Sequence, residues 1–132
     1  DFAYAFHWDD VPREIVESDI AEGFPTRRVT PSFGSMTRPG CSAEAMRPGQ
    51  VAAQAAAITT PVFLGFGERD TSPNPCAEPS AYLKCRDLTL VIVPTMAHMH
   101  NFASTRALLW DRLVDWSGAT TRQRRRLEIL YV

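Results

Sequence analysis

The sequence predicts an α/β fold in which helices flank a parallel sheet. Two apolar segments, residues 62–66 and 88–93, have the length of buried strands and end at the breakers Gly67 and Pro94. Continuous apolar runs of this kind are typical of strands buried on both faces of a parallel sheet. Residues 77–84 have room for one short helix between them, so we expect a βαβ unit with a right-handed crossover.

Residues 1–42 are predicted to form a cap-like or connecting region. Aromatic residues occupy alternate positions at its start, which favours a short strand or an extended segment with one buried face. Pro12 suits the first turn of a weak amphipathic helix that ends at Gly23. Glycine and proline then recur through residues 23–42, a composition typical of a lid, a binding loop or a connector. The aromatic residues are Phe2, Tyr4, Phe6 and Trp8.

Residues 43–118 are predicted to hold the α/β core, which begins with a helix. The helical pattern covers residues 43–57, with Pro48 at a first helical position and an alanine-rich second half that allows close packing against a sheet. In the short helix between the two strands, Tyr82 and Leu83 are expected to pack inward.

A final helix is predicted over residues 105–116, with Gly118 as its C-terminal stop. Both tryptophans of this helix, Trp110 and Trp116, are assigned to core packing. Residues 119–132 are predicted to be a polar tail. The apolar face of the helix has i, i+4, i+7 spacing and consists of Leu109, Leu113 and Trp116.

Composition bounds the class of protein. The chain has 132 residues, of which 45% are hydrophobic, enough for one packed domain. A net charge of -1 favours neither nucleic acid nor a membrane surface as partner, and the basic run at residues 122–126 is assigned to a solvated tail. No apolar run has the length of a transmembrane helix. Three unevenly spaced cysteines indicate free thiols in a reducing compartment, so we expect a cytoplasmic location.

Two potentially catalytic residues follow the two predicted strands. Asp70 lies just beyond the first strand and His98 just beyond the second. Functional groups of parallel sheets lie beyond the carboxyl ends of the strands, and neighbouring strands are about 4.8 Å apart, so Asp70 and His98 are predicted to lie within hydrogen-bond reach. An acid bound to one imidazole nitrogen leaves the other free to take a proton from a nucleophile. For Asp70 alone, the alternative is a solvated turn acid.

Residues 58–116 resemble the C-terminal part of an α/β-hydrolase fold enzyme. The resemblance implies a serine-type hydrolase of esters or related acyl bonds, with Asp70 as the triad acid and His98 as the triad histidine. It implies a small-molecule substrate and neither metal nor organic cofactor. Three segments carry the resemblance: P-V-F-L-G-F-G-E-R-D, L-V-I-V-P-T-M-A-H-M-H-N-F and L-L-W-D-R-L-V-D-W. Residues 1–57 resemble the family less specifically, as its segment between the cap and the penultimate strand.

The chain departs from the family pattern at two points. Residues 95–97 stand where a G-x-G-type turn usually precedes the histidine, and His100 is the alternative histidine, assigned to supporting the loop. No G-x-S-x-G motif occurs, and Ser35 lies in a Pro/Gly loop, so nucleophile and oxyanion donors are not recognisable. We therefore expect the C-terminal part of a longer hydrolase, or a truncated derivative, inactive as these residues alone. The absence of a signal peptide and of an initiator methionine agrees with a processed or partial chain.

Two other interpretations remain open. A truncated, catalytically inactive hydrolase relative is expected to expose a sheet edge and apolar surface, and to act as a binding module, to form homo-oligomers through that edge, or to have no function. A metal site at His98 and His100, with His7 and Asp9 or Asp10, is the less favoured alternative, because the spacing matches no strong ligand pattern. The N-terminal aromatic residues are assigned to cap core in preference to an apolar acyl pocket.

Overall fold

The computed structural model describes residues 2–21 and 47–130 of the chain. The sheet and the helix after it lie in the second range. In chain order the elements of these ranges are α1 (Phe2–Phe6), α2 (Arg13–Ala21), α3 (Ala52–Ala57), β1 (Val62–Gly67), a first 3-10 helix (Pro75–Ala81), β2 (Leu88–Val93), a second 3-10 helix (His100–Phe102) and α4 (Arg106–Leu130).

The two apolar segments form the predicted parallel pair. β1 and β2 are hydrogen bonded in register from Val62 opposite Leu88 to Gly67 opposite Val93. The carboxyl ends of both strands therefore lie at the same end of the sheet, and the loops that follow them start side by side. The described part of the chain is thus a mixed α/β structure with a two-stranded parallel sheet.

Helix α4 covers one face of this sheet. The Phe63 ring packs at a tilt against Trp116 with ring centroids 5.5 Å apart, and Leu109 packs over Gly65. The buried cluster at the centre consists of Val93, Met96, Ala103 and Leu109. The hydrophobic core therefore lies under the carboxyl ends of the strands, where the candidate site is built.

The other face of the sheet is only partly covered by the described residues, so the predicted burial on both faces is wrong for this part of the chain. Ile92 is exposed, and its neighbours on that face are half-buried. The helices that flank the described sheet cover one side of it more fully than the other. The half-buried residues on that face are Val62, Leu64, Phe66, Leu88 and Leu90.

Two predictions for the helices before the sheet are corrected. Residues 2–6 form the helix α1 instead of the predicted extended segment. Tyr4 and Trp8 are four residues apart, and this spacing fits one turn of a helix as well as it fits the alternation of a strand. Helix α3 begins at Ala52 and not near Pro48, because Gly49 has a φ of +78°, outside the helical region. The amphipathic helix after Pro12 is confirmed as α2, and its predicted end at Gly23 lies outside the described residues, as do residues 22–46.

The segment between the strands is a 3-10 helix that starts and ends earlier than predicted. Pro79 lies inside it and has no backbone N–H to donate, which disfavours a regular α-helix. Tyr82 is half-buried, but the side chain of Leu83 is 78% exposed, so its predicted inward packing is wrong.

The last helix continues past its predicted end. Gly118 is an interior residue of α4, because a glycine costs only about 1 kcal/mol in a helix and removes no hydrogen bond. Thr121 donates to the carbonyl of Ser117 at 2.8 Å, so its hydroxyl is satisfied within the helix. Residues 119–130 thus extend α4. No helix of the described ranges combines the length and the apolar character needed to cross a membrane.

Candidate active site

The acid turn after β1 and the histidine loop after β2 are joined along their backbones. The N–H of Glu68 donates to the carbonyl of Val93 at 2.9 Å, and the N–H of Arg69 donates to the carbonyl of Met96 at 3.1 Å. The Glu68 carboxylate in turn accepts the N–H of Thr95 at 2.9 Å. These bonds continue the pairing of the strands and carry it to the two candidate catalytic residues.

Asp70 and His98 meet at the end of this backbone pairing. Nδ1 of His98 lies 2.7 Å from Oδ1 of Asp70, which confirms the predicted hydrogen-bond reach. The Asp70 side chain is only 3% exposed, so Asp70 is not a solvated turn acid.

The carboxylate of Asp70 is surrounded by donors. The N–H of Gly67 donates to Oδ2 at 2.9 Å, and the N–H of Thr71 donates to Oδ1 at 2.7 Å. Burial acts to raise the pKa of Asp70, but hydrogen bonds from His100, His98 and the two amides outweigh burial and hold that pKa well below its usual range. Asp70 is therefore an ionised carboxylate at neutral pH.

His98 is held in one orientation by its contacts. An ionised carboxylate only accepts hydrogen bonds, so Nδ1 of His98 carries the proton and Nε2 is the nitrogen left for other chemistry. The Phe6 ring and the imidazole pack edge to face, with ring centroids 4.8 Å apart and planes 66° apart. The side chain of His98 is 41% exposed, in contrast to the buried acid. The imidazole is thus accessible while the acid behind it is shielded.

His100 supports the same carboxylate from the other side. Nε2 of its imidazole lies 3.3 Å from Oδ2 of Asp70. The backbone N–H of His100 donates to the backbone carbonyl of His98 at 2.9 Å. The contact of His98 Nδ1 with the acid, at 2.7 Å, is the shorter of the two. This position agrees with the supporting role predicted for His100.

The residues of the metal hypothesis do not converge. His7 is buried and its Nε2 bonds to Asp19 at 2.9 Å, whereas Asp9 pairs with Arg69 at 2.9 Å and Asp10 is exposed. Over residues 2–21 and 47–130, no group of three or more His, Cys, Asp or Glu side chains has a geometry that holds a metal ion.

Sequence reasoning missed two contributors to the site. Arg69, next to the acid, contacts the N-terminal segment, and its position directly before Asp70 was the available signal. Trp110, predicted to be core, is 44% exposed. It borders a cavity of about 190 Å³ beside the histidine loop. The cavity is lined by His98, Met99, His100, Asn101 and Trp110.

Comparison of this chain with family models, curated proteins and solved structures found no match. Its function is therefore inferred from the geometry of the site. That geometry is a buried, ionised carboxylate that orients an accessible imidazole at the carboxyl ends of two parallel strands.

Proposed function

We propose that Asp70 and His98 are the acid and the histidine of a serine-type α/β hydrolase that cleaves an ester or a related acyl bond. The observation that carries the proposal is the 2.7 Å bond from Nδ1 of His98 to the shielded Asp70 carboxylate. An acid in this position keeps the imidazole in the tautomer with a free Nε2 and stabilises the imidazolium that forms during the reaction. The order of the two residues along the chain, acid before histidine, is also that of α/β hydrolases.

In this proposal His98 moves one proton in two directions. Its Nε2 takes the proton of a serine hydroxyl as the serine oxygen bonds to the acyl carbon, and then gives it to the leaving oxygen as the acyl–oxygen bond breaks. A water molecule then attacks the acyl carbon of the acyl-enzyme while Nε2 of His98 takes its proton. That proton goes to the serine oxygen as the acyl–serine bond breaks and the acid product leaves. Asp70 stays ionised throughout, in keeping with its lowered pKa.

The serine and the oxyanion donors belong to another part of a longer chain in this proposal. The 132 residues contain no G-x-S-x-G motif, and the sheet of the described ranges has two strands, fewer than the hydrolase sheet the resemblance implies. These 132 residues are then the C-terminal part of the enzyme and are inactive alone. The proposed substrate is a small molecule, with no metal or organic cofactor.

A fluorophosphonate that traps activated serines tests this function in protein from the native source. We expect a labelled species larger than 14.7 kDa, and labelling at least about a thousandfold slower in His98→Ala and Asp70→Ala variants. Asp111→Asn, which changes an exposed carboxylate on α4, is the matched control and should label normally. An unlabelled species of 14.7 kDa, or full labelling of His98→Ala, would overturn the proposal.

A second candidate function is an inactive relative that acts as an interaction module. It is favoured by the incompletely covered apolar face of the sheet, on which Ile92 is exposed. Each strand also has an outer edge that is unpaired within the described ranges. Such edges and faces associate with further chains, here proposed to be copies of the same chain.

Sedimentation equilibrium distinguishes this candidate from a monomeric chain. Self-association that weakens in Ile92→Lys, while the exposed control Val114→Lys on α4 leaves it unchanged, would support the module. A monomer at every concentration would contradict it.

For either function we propose the cytoplasm as the location. Cys76 and Cys85 are free thiols, and an odd total of three cysteines does not suit a disulfide framework.

A further inference from the structure

The guanidinium of Arg69 is packed against the N-terminal segment, sixty residues away in sequence. Its central carbon lies 3.9 Å from the centroid of the Tyr4 ring and 4.5 Å from that of the Trp8 ring. Its Nη2 donates to the carbonyl of His7 at 2.5 Å and to the carboxylate of Asp9 at 2.9 Å. The side chain of Arg69 is only 11% exposed, so its guanidinium is largely shielded from water, although the Tyr4 residue is 60% exposed.

The same N-terminal segment holds the histidine loop. The N–H of His98 donates to the carbonyl of Ala5 at 3.1 Å, and the N–H of Met99 donates to the carbonyl of Phe6 at 2.8 Å. These carbonyls belong to the last turn of α1, where a helix has no partners of its own for them. The Phe6 ring also packs edge to face with the His98 imidazole. The backbone of the histidine loop is thus fixed from the N-terminal side.

Arg69 closes this set of contacts into a ring. The side chain of Arg69 bonds to the N-terminal segment, and that segment bonds to the backbone of His98. The backbone N–H of Arg69 bonds to the carbonyl of Met96, two residues before His98. Asp70 follows Arg69 directly. Movement of the histidine loop relative to the acid therefore requires that at least one of these contacts break.

We propose that Arg69 is a positioning residue that holds the N-terminal segment against the histidine loop and so keeps His98 on Asp70. The inference rests on the proposed function, because it assigns Arg69 a role in the same acid–histidine pair. An arginine suits the position because its planar group covers aromatic faces and donates to two oxygens at once. The charge pair with Asp9 contributes little, since that carboxylate is 79% exposed.

Amide hydrogen exchange of the whole chain, followed by NMR, tests the inference. In Arg69→Met we expect the amides of His98 and Met99 to exchange at least about tenfold faster than in the unchanged protein. The amide of Val62, bonded to Asp87 at the opposite end of the sheet, is the internal reference and should not change. Arg69→Lys should restore part of the protection.

Two further variants separate the contacts of Arg69. Trp8→Leu removes one of the rings on which Arg69 packs and should also expose the two amides, and it replaces Arg69→Met if that variant does not fold. Asp9→Asn removes only the exposed contact and should change exchange by less than about twofold. Unchanged exchange at His98 and Met99 in the Arg69 and Trp8 variants, or equal acceleration at Val62, would overturn the inference.

NMR of protein labelled with ¹⁵N-histidine measures the bond between His98 and Asp70 separately. The chain has three histidines, so three imidazole signals need assignment. A slowly exchanging Nδ1 proton on His98 is expected in the unchanged protein, and its loss is expected in Arg69→Met. If the unchanged protein lacks this proton, the proposed function fails together with the inference. If the proton is present and persists in both the Arg69 and Trp8 variants, only the inference fails.

Discussion

A β-carbon on Gly67 would lie 2.5 Å from the carbonyl oxygen of Met96. Gly67 is the last residue of β1, and Met96 lies in the loop that follows β2. The absence of a side chain at Gly67 therefore lets the acid turn and the histidine loop touch along their backbones. Because Asp70 and His98 follow these two residues closely, the distance between them depends on this contact.

Gly67→Ala should lower the free energy of unfolding by about 2 kcal/mol or more, because the obstructing atoms are backbone and cannot rotate away. Gly65→Ala is the matched control: its new methyl would meet a Leu109 side-chain methyl at 2.8 Å, which has rotational freedom. Urea titration measures both. A loss at Gly65 as large as that at Gly67 would show that general crowding, and not the backbone contact, limits position 67.

Thr95→Gly should stabilise the protein by about 1 kcal/mol. Thr95 has a φ of +51°, in the left-handed region that glycine adopts without strain and β-branched residues avoid. Its N–H and carbonyl make the observed bonds, and glycine retains both groups. The urea midpoint measures the gain, with Thr95→Ala as the control that keeps a β-carbon. A lower midpoint for Thr95→Gly would contradict the strain at this residue.

Asp70→Asn should cost about 2 kcal/mol at neutral pH, because the amide nitrogen donates where the carboxylate accepted and leaves a donor without its acceptor. Folding lowers the pKa of Asp70, so the carboxylate stabilises the fold fully above the ordinary aspartate value of about 3.9. That contribution is lost as the pH falls towards the folded-state value.

Unfolding free energies of Asp70→Asn and the unchanged protein, measured from pH 7 down to pH 2, test this sign. Their difference should be largest above about pH 4 and should shrink below it. Asp111→Asn, on the exposed side of α4, should differ from the unchanged protein by no more than about 0.5 kcal/mol at any of these pH values. A difference that grows on acidification would contradict a lowered pKa.

Met96→Ala should destabilise the protein by about 3 kcal/mol, because Met96 is fully buried in the cluster beneath the site and its loss leaves a cavity. Leu83→Ala removes an exposed side chain and should stay within about 0.5 kcal/mol of the unchanged protein. Chemical denaturation of the pair checks both values. Similar losses at the two positions would place the core elsewhere.

Much of the candidate site follows from local patterns in the sequence. The apolar runs that became β1 and β2 predicted a parallel pair, and the breakers after them placed Asp70 and His98 at one edge. Their hydrogen bond was predicted on this basis and is present. The prediction that α4 ends at Gly118 is wrong, because one glycine is a weak penalty within a long run of helix formers.

Contacts between distant segments were beyond such patterns. Nothing within a few residues of Arg69 indicates that its guanidinium packs on Tyr4 and Trp8, and the helical form of α1 that brings Ala5 and Phe6 to the histidine loop was predicted as extended. Partners of this kind are chosen by how whole elements pack against one another.

Strand length and chain breaks are local properties, so local sequence patterns predict the two strands, their parallel direction and the end of the sheet at which the acid and the histidine emerge. The side chains that surround that pair depend on tertiary packing. Packing buries Asp70 beneath two histidines and leaves Trp110 44% exposed, because burial depends on segments that are far apart in the chain.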